Sequence, residues 1–208
     1  MRRAPFIRHQ GIVAPLLRDH VDTDAIIPSR EMKRVSRKGL SEGLFAGWRY
    51  RDEEKRTPEP GFVLNQAQYK NASILATGDD FGCGSSREHA VWALAEYGFR
   101  VILAPSFAAI FERNCINNGL APIRLEEQQI DALLAQTEAD PQNSAVEIDL
   151  EKTIVVLPDG ARIRFTLSEA ARTLLIHGWD PIDLTLQCAE SIDAFENEDR
   201  AKRPWAYF

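Results

Sequence analysis

The chain has 208 residues, of which 44% are hydrophobic and 27% charged, a balance typical of a globular protein rather than a disordered one. Its formal net charge of -6 at pH 7 argues against a nucleic-acid-binding surface, which is normally basic. Three cysteines are too few for a disulfide framework, and the sequence shows neither a signal peptide nor a transmembrane run. We therefore expect one large domain, or a domain with an appendage, in a reducing, cytoplasmic setting, with no nucleic-acid or membrane partner.

The N-terminal region contains one predicted strand and one unusually polar turn. Residues Gly11–Leu16 favour a strand, and Asp19–Pro28 follows with three aspartates and a histidine just before a buried apolar pair. This segment lacks the glycine and the later glutamate of a calcium loop, so a metal site fits it poorly. Two interpretations stay open: an Asx-rich turn that caps the next element, or side chains that belong to an active site.

Residues 30–60 form a polar, basic excursion with scattered aromatic residues and several glycines, and we expect short helical pieces within it. Long loops inside compact domains are often lids or specificity loops. The basic cluster between Arg30 and Lys38 is better interpreted as a solvated face than as a nucleic-acid patch. Phe62–Asn65 is predicted to be a short strand.

The stretch Gly78–Ala90 stands out because Cys, two Ser, Arg, Glu and His fall within seven of its residues. It lies between Ala72–Ala76, an apolar run predicted to be a buried strand, and Ala90–Tyr97, predicted to be a helix. Gly82 and Gly84 allow the backbone to turn sharply and to approach a ligand closely. The stretch is neither a Walker loop nor a nucleophile elbow, because its order of residues differs from both.

The end of this stretch predicts an anion site. Ser85 or Ser86 is the predicted N-cap of the helix, which would therefore begin there. The unpaired N–H groups of a helix N-terminus suit a carboxylate or a phosphate, and the planar fork of Arg87 suits bidentate carboxylate binding. The alternative is an ordinary strand–turn–helix connection with polar caps and no chemistry.

The segment after the helix continues the same alternation. Arg100–Ala104 and Ala121–Leu125 are predicted strands that flank a helix over Phe107–Asn114, with Ser106 as its N-cap. The order strand, turn, helix, strand, helix, strand predicts parallel pairing with right-handed crossovers. Ligands of such sheets lie beyond the carboxyl ends of the strands, which is where Gly78–Ala90 begins.

The C-terminal third mixes helical and strand patterns. The predicted elements are an amphipathic helix at 126–139, a strand at 145–150, a hairpin at 153–165 turned by Asp-Gly, a helix from Ser168 to about His177, and a last helix from Asp180. Residues 181–208 comprise this last helix and a tail that ends Trp-Ala-Tyr-Phe. Such an apolar tail suggests docking on a partner or on the domain itself.

Two of these segments carry a family resemblance. Phe81–Ala90 resembles the swivelling-domain signature of the aconitase superfamily, and Val21–Pro28 resembles that superfamily's second motif. Further spans are similar to the small subunits of bacterial 3-isopropylmalate dehydratases: Leu44–Tyr50, Phe62–Asn65 and Ala104–Ala108. The resemblance, which runs from about Gly11 to Ala194, implies an α/β fold: one swivelling β/β/α domain over 1–208, with a mixed, largely parallel sheet, flanking helices and a specificity excursion at about 30–60.

The resemblance implies a hydro-lyase that is active only with a second subunit. In this family a separate large subunit holds a [4Fe-4S] cluster on three cysteines, so neither a cofactor nor a metal is expected on this chain. The implied reaction isomerises 2-isopropylmalate to 3-isopropylmalate through 2-isopropylmaleate, a step of leucine biosynthesis.

The family pattern also implies roles for individual residues. Ser85 takes the position of the catalytic base, acting as an alkoxide, and Ser86 and Arg87 take positions that bind the substrate. Removal of a proton next to a carboxylate needs a positioned base and stabilisation of the negative charge that develops. A helix N-terminus, neighbouring N–H groups and Arg87 could stabilise the serine anion.

Three other side chains are expected around this site. Asp24 matches a position beside the active site and receives an orienting role. His89 is expected to brace the turn rather than to react. Cys83 lies next to the site, but the family does not use it as a cluster ligand.

Two departures from the family pattern leave the substrate open. Val91 stands where the small subunits often have proline, and the run Pro28–Lys33 differs from the leucine enzyme's usual sequence in the excursion that selects the substrate's side group. A paralogous hydro-lyase acting on another small 2-hydroxy-diacid, such as a methylmalate, is therefore the alternative. A non-catalytic anion-binding module is a third possibility.

Overall fold

The computed structural model describes residues 3–32, 38–52 and 54–207. The strands are, in chain order, β1 Arg8–Gly11, β2 Val13–Leu16, β3 Tyr50–Asp52, β4 Thr57–Pro58, β5 Ile74–Thr77, β6 Val101–Ala104, β7 Ala121–Arg124, β8 Val146–Asp149, β9 Ile154–Val156 and β10 Arg162–Arg164. The α-helices are α1 Thr23–Ile26, α2 Ala46–Arg49, α3 His89–Tyr97, α4 Ala109–Asn117, α5 Glu127–Thr137, α6 Glu169–His177, α7 Pro181–Leu186 and α8 Ala189–Lys202. Short 3-10 helices cover Ser29–Met32, Ser41–Gly43, Val63–Asn65, Ala67–Tyr69 and Pro204–Ala206.

A four-stranded parallel sheet, in the order β2-β5-β6-β7, carries the centre of the fold. Every residue of β5 and β6 is buried, as expected for short apolar strands that are covered on both faces. The predicted parallel pairing and the predicted strands at 72–76, 100–104 and 121–125 are confirmed.

A second four-stranded sheet is antiparallel and has the order β1-β8-β9-β10. The predicted hairpin is confirmed as β9 and β10. The strand predicted at Gly11–Leu16 is confirmed over Val13–Leu16, as β2, whereas Gly11 ends β1 and lies in the antiparallel sheet. Eight of the ten described strands thus form one parallel and one antiparallel sheet rather than one mixed sheet, and β3 and β4 form a separate two-stranded antiparallel sheet.

The alternation of side chains along the parallel strands builds a three-layer structure. Leu75 and Ile102 point to a cluster that includes apolar residues of α3 and α4. Ile74 and Leu103 point to the other face, where they pack with Val146 and other residues of the antiparallel sheet. The layers are therefore helices, parallel sheet and antiparallel sheet, which confirms the expected β/β/α arrangement.

Three local predictions of secondary structure are wrong. The run Phe62–Asn65 forms a 3-10 turn, because three apolar residues between polar ones do not distinguish a strand from a buried turn. Helix α4 begins at Ala109, and Ser106 does not cap it. The last predicted helix is two helices, α7 and α8, with an interruption at residues 187–188.

The described part of the 30–60 excursion packs partly into the core, and it contains the short helical pieces expected. Leu40, Leu44 and Phe45 are 1% exposed or less. The carboxylate of Glu96 on α3 accepts hydrogen bonds from the backbone N–H groups of residues 39, 40 and 41 at 2.6, 2.6 and 2.8 Å. Residues 33–37 and 53, which fall within this prediction and within the basic cluster at 30–38, lie outside the described residues.

Candidate active site

The loop from Gly78 to Glu88 joins β5 to α3 and extends the parallel sheet beyond its strands. On one side, the Gly82 N–H donates to Val21 at 2.8 Å, and the Thr23 N–H donates to Cys83 at 2.9 Å. On the other side, Phe81 exchanges backbone hydrogen bonds with residues 106 and 108 at 3.2 and 3.1 Å. The loop is therefore held between two segments that follow β2 and β6, at the predicted edge of the sheet.

Gly82 allows this loop to lie against α4. Its φ is +80°, and a Cβ atom at this position would lie 2.1 Å from Cγ of Phe111. Phe111 packs edge-on against Phe81, with ring centroids 5.4 Å apart. Both the backbone conformation and the close contact thus require a residue without a side chain.

Arg87 is the centre of a hydrogen-bond network that joins the predicted site residues. Its Nη1 and Nη2 atoms donate to the two carboxylate oxygens of Asp24 at 2.5 and 3.1 Å. Nη1 also donates to Oγ of Ser29 at 2.9 Å, and Nε donates to Oγ of Ser85 at 3.1 Å. The two halves of the network are far apart in sequence, and the sheet edge brings them together.

The charge of Asp24 is stabilised by this geometry. Hydrogen bonds from Arg87, and to a smaller extent from Ser29, lower the pKa of Asp24. The Asp24 side chain is 53% exposed and that of Arg87 29% exposed. Because solvent screens an exposed pair, we attribute to it orientation of the guanidinium rather than much folding stability.

The predicted start of helix α3 is wrong. The helix begins at His89 with Glu88 at its N-cap position, and neither Ser85 nor Ser86 caps it. Both serines are exposed on the loop. The group that contacts Oγ of Ser85 is therefore the Arg87 guanidinium and not the end of the helix.

His89 and Cys83 lie beside this network. The ring of His89 packs on Trp92 with centroids 4.7 Å apart, and the neighbouring Glu88 accepts a hydrogen bond from Asn118 at 2.6 Å. Cys83 is partly buried, and burial, followed by the nearby charges of Asp80 and Asp22, raises the pKa of its thiol. The thiol is thus held in its protonated form at neutral pH.

The cap interpretation of the aspartate-rich turn is confirmed for some of its residues, and the active-site interpretation stays a prediction for Asp24. Asp22 caps α1 by accepting from the Ala25 N–H at 2.6 Å, and Asp19 accepts from the Asp79 N–H at 2.8 Å. Asp24 instead contacts the arginine of the site. Residues that stabilise the local backbone and the residue that contacts Arg87 therefore lie in the same short segment.

Two residues of the site had no predicted role. Ser29 contacts both Asp24 and Arg87, at 3.1 and 2.9 Å. Thr23 is 1% exposed and bonds to the backbone of Ser85. The departure of the run Pro28–Lys33 from the family pattern is the one sequence feature that points to Ser29. No sequence feature points to Thr23.

Comparisons with known proteins match this architecture. The family model described as the aconitase C-terminal domain matches residues 3–128, and the model for the C-terminal domain of the 3-isopropylmalate dehydratase small subunit matches residues 182–207. A protein of Cupriavidus necator named 3-isopropylmalate dehydratase small subunit is 58% identical over 204 residues, which is 98% of both chains. The chain belongs to the 3-isopropylmalate dehydratase small-subunit family.

Other members of the small-subunit family agree with this placement. A Rhodospirillum centenum protein of the same name is 48% identical over 196 residues, covering 94% of this chain and 95% of its own. A crystal structure titled 3-isopropylmalate dehydratase, from Methanocaldococcus jannaschii, superposes with a TM-score of 0.64 at 30% identity. It covers 91% of this chain and 99% of the solved chain.

The described residues of this family member show two further properties. They contain no group of three or more His, Cys, Asp or Glu side chains arranged to hold a metal ion, and the three cysteines are separate and free. No described helix has the length and apolar character needed to cross a membrane.

Proposed function

We propose that this chain is the small subunit of a hydro-lyase that isomerises 2-isopropylmalate to 3-isopropylmalate through 2-isopropylmaleate in leucine biosynthesis, within the cytoplasm. The observation that carries the proposal is the contact between Oγ of Ser85 and Nε of Arg87 at 3.1 Å, inside the network completed by Asp24. A serine adjacent to a fixed guanidinium is suited to act as a base, because the guanidinium stabilises the alkoxide.

In this proposal Ser85 removes the proton from the carbon next to a substrate carboxylate and returns a proton in the rehydration step. Ser86, which is exposed next to it, binds the substrate with Arg87. Cys83 and His89 support the loop on which these residues lie. An iron–sulfur cluster on a large-subunit partner would supply a Lewis acid for the departing hydroxyl group.

The hydrogen bonds that Arg87 already makes limit how it can bind a substrate carboxylate. Four of its five N–H donors bond to groups among the described residues, and one Nη2 N–H remains. A bidentate contact with substrate therefore requires Arg87 to give up at least one of these four hydrogen bonds. The bonds to Asp24 hold the guanidinium in a fixed orientation.

A smaller 2-hydroxy-diacid, such as a methylmalate, is the second candidate substrate. The observation that favours it is the position of Ser29, which contacts the substrate-binding arginine and lies in the run that departs from the family pattern. A substitution in this run would therefore directly change a hydrogen bond of Arg87.

The test is co-expression of the full chain with its large subunit under anaerobic conditions. The absorbance of the unsaturated diacid would be followed after addition of 2-isopropylmalate, 3-isopropylmalate or citramalate. We expect turnover of the isopropylmalates, and preference for citramalate would support the paralogue instead. No turnover of any substrate by a complex with its full iron content would contradict both and favour the anion-binding module.

Replacement of the proposed base tests its role directly. Ser85→Ala is expected to lower kcat by several orders of magnitude, because the proposed base is removed. Ser144→Ala, in a loop outside the described network, is the matched control and should leave kcat unchanged. An active Ser85→Ala complex would show that another group removes the proton.

A further inference from the structure

The hydroxyl group of Thr23 binds both backbone polar groups of Ser85. Oγ1 of Thr23 accepts a hydrogen bond from the Ser85 N–H at 3.2 Å and donates one to the Ser85 C=O at 3.1 Å. Thr23 is 1% exposed and lies at the first position of α1. One buried side chain thus clamps the peptide groups of an exposed residue 62 positions away.

This clamp replaces a step of the parallel backbone ladder. Val21 and Thr23 pair with Gly82 and Cys83 through backbone hydrogen bonds of 2.8 and 2.9 Å. The ladder cannot continue, because α1 begins at Thr23 and the Thr23 C=O accepts from the N–H of Ile27 at 3.0 Å. A hydroxyl is a donor and an acceptor at once, so the Thr23 side chain continues the pairing that the backbone gives up.

Few other constraints act on the Ser85 backbone. Among the described residues, Ser85 makes no backbone–backbone hydrogen bond, and α3 begins only at His89. The backbone conformation of Ser85 fixes the direction of its Cα–Cβ bond, from which Oγ accepts the hydrogen bond of Arg87. Loss of the Thr23 hydroxyl would therefore release the segment that carries Oγ.

We infer that Thr23 is a positioning residue for Ser85: its hydroxyl fixes the backbone from which Oγ reaches Arg87 and the substrate. This inference rests on the proposed function, since it matters for turnover only if Ser85 reacts. It assigns no contact between Thr23 and the substrate, so the expected effect falls on kcat rather than on KM.

The test compares Thr23→Val with Thr23→Ser in the full chain assembled with its large subunit. Valine keeps the shape and removes the hydroxyl, whereas serine keeps the hydroxyl and removes a buried methyl group. We expect Thr23→Val to lower kcat on the order of 100-fold, the size of effect that a displaced reacting group produces. Thr23→Ser should retain kcat within about threefold, and KM should stay within about threefold in both variants.

Hydrogen exchange of the peptide that contains Ser85, measured in the same complexes, gives a readout independent of turnover. Exchange at the Ser85 amide should be faster in Thr23→Val and unchanged in Thr23→Ser. Equal losses of kcat in the two variants, or full activity of Thr23→Val, would overturn the inference. If Ser85→Ala were active while exchange still rose in Thr23→Val, the proposed role of Ser85 as the base would fail although the clamp is real.

Discussion

The loop at 78–88 and the C-terminal segment at 181–207 both lie outside the named strands, but they are held in opposite ways. The loop has backbone hydrogen bonds to segments on both sides and a side-chain network to residues about 60 positions away. Within the C-terminal segment, α7 and α8 contain no buried residue among those described. Its bonds are local, such as Arg203 to Asp199 at 2.7 Å and Tyr207 to Asp199 at 2.7 Å.

The two segments differ in their long-range hydrogen bonds and in the apolar surface that they expose. Long-range bonds fix the loop, although Ser85 itself is exposed. The C-terminal segment exposes large apolar side chains instead, including Ile182 at 70%, Phe195 at 61% and Trp205 at 74%. Local ion pairs stabilise a helix only slightly, so a 14-residue helix needs packing against something else. Docking of the tail on its own domain is wrong for Trp205, and docking on a partner stays a prediction.

The largest expected effect comes from breaking the packed loop. Gly82→Ala adds a methyl group against Phe111 at a positive φ, and we expect the free energy of unfolding to fall by roughly 3 kcal/mol. Gly160→Ala is the matched control, because its φ is also positive at +86° but nothing lies within 4 Å of its Cβ position. Its loss should be about 1 kcal/mol. Equal losses in denaturant unfolding would mean that the Phe111 contact does not constrain the loop.

An intermediate effect is expected for residues 39–41, which are outside the sheets but held by one carboxylate. Burial raises the pKa of Glu96, but the hydrogen bonds from three backbone N–H groups outweigh it, and the pKa is lowered overall. Glu96→Gln removes the charge and places an amide against N–H donors, so we expect a loss of about 1 kcal/mol near neutral pH. Glu138→Gln, on an exposed residue at the end of α5, is the control.

The pH dependence of this loss has a definite sign. Because the folded pKa of Glu96 lies below the ordinary value of 4.5, its contribution is present above that value and is lost as the pH falls through the lowered pKa. The difference between the parent chain and Glu96→Gln should therefore narrow below pH 4.5. If the difference in unfolding free energy between the two chains stays constant down to about pH 3, the loss does not come from the charge of Glu96.

The smallest effect is expected from removing the C-terminal segment. Deletion of residues 181–208 should change the melting temperature of the remaining chain by less than about 2 °C, because α7 and α8 contain no fully buried residue among those described. Differential scanning calorimetry of the full and shortened chains measures this. A fall in melting temperature as large as the one that Gly82→Ala causes would show that the segment packs on the sheets.

The sequence predicts the parallel sheet well because the short apolar runs of β5, β6 and β7 alternate with helical patterns, an order that indicates parallel pairing. It also brings Ser85, Arg87 and Asp24 forward as one site, through the family resemblance. The start of α3 is mispredicted because Ser85 is a residue type that commonly caps helices, but its hydroxyl group contacts Arg87 instead. Thr23 could not be found, since its role depends on a contact 62 residues away that no local pattern records.

The extension of the parallel sheet through the loop has a consequence for the order of folding. The contacts that define the site join residue 22 to residue 83 and residue 81 to residue 107, so each closes a long stretch of chain. Such contacts are slow to form, and they follow the pairing of the strands that bring their partners together. We expect mutations in the loop to accelerate unfolding and to leave the folding rate nearly unchanged. Ser85 is then positioned last, and if it is the base that we propose, catalytic activity requires a completed fold.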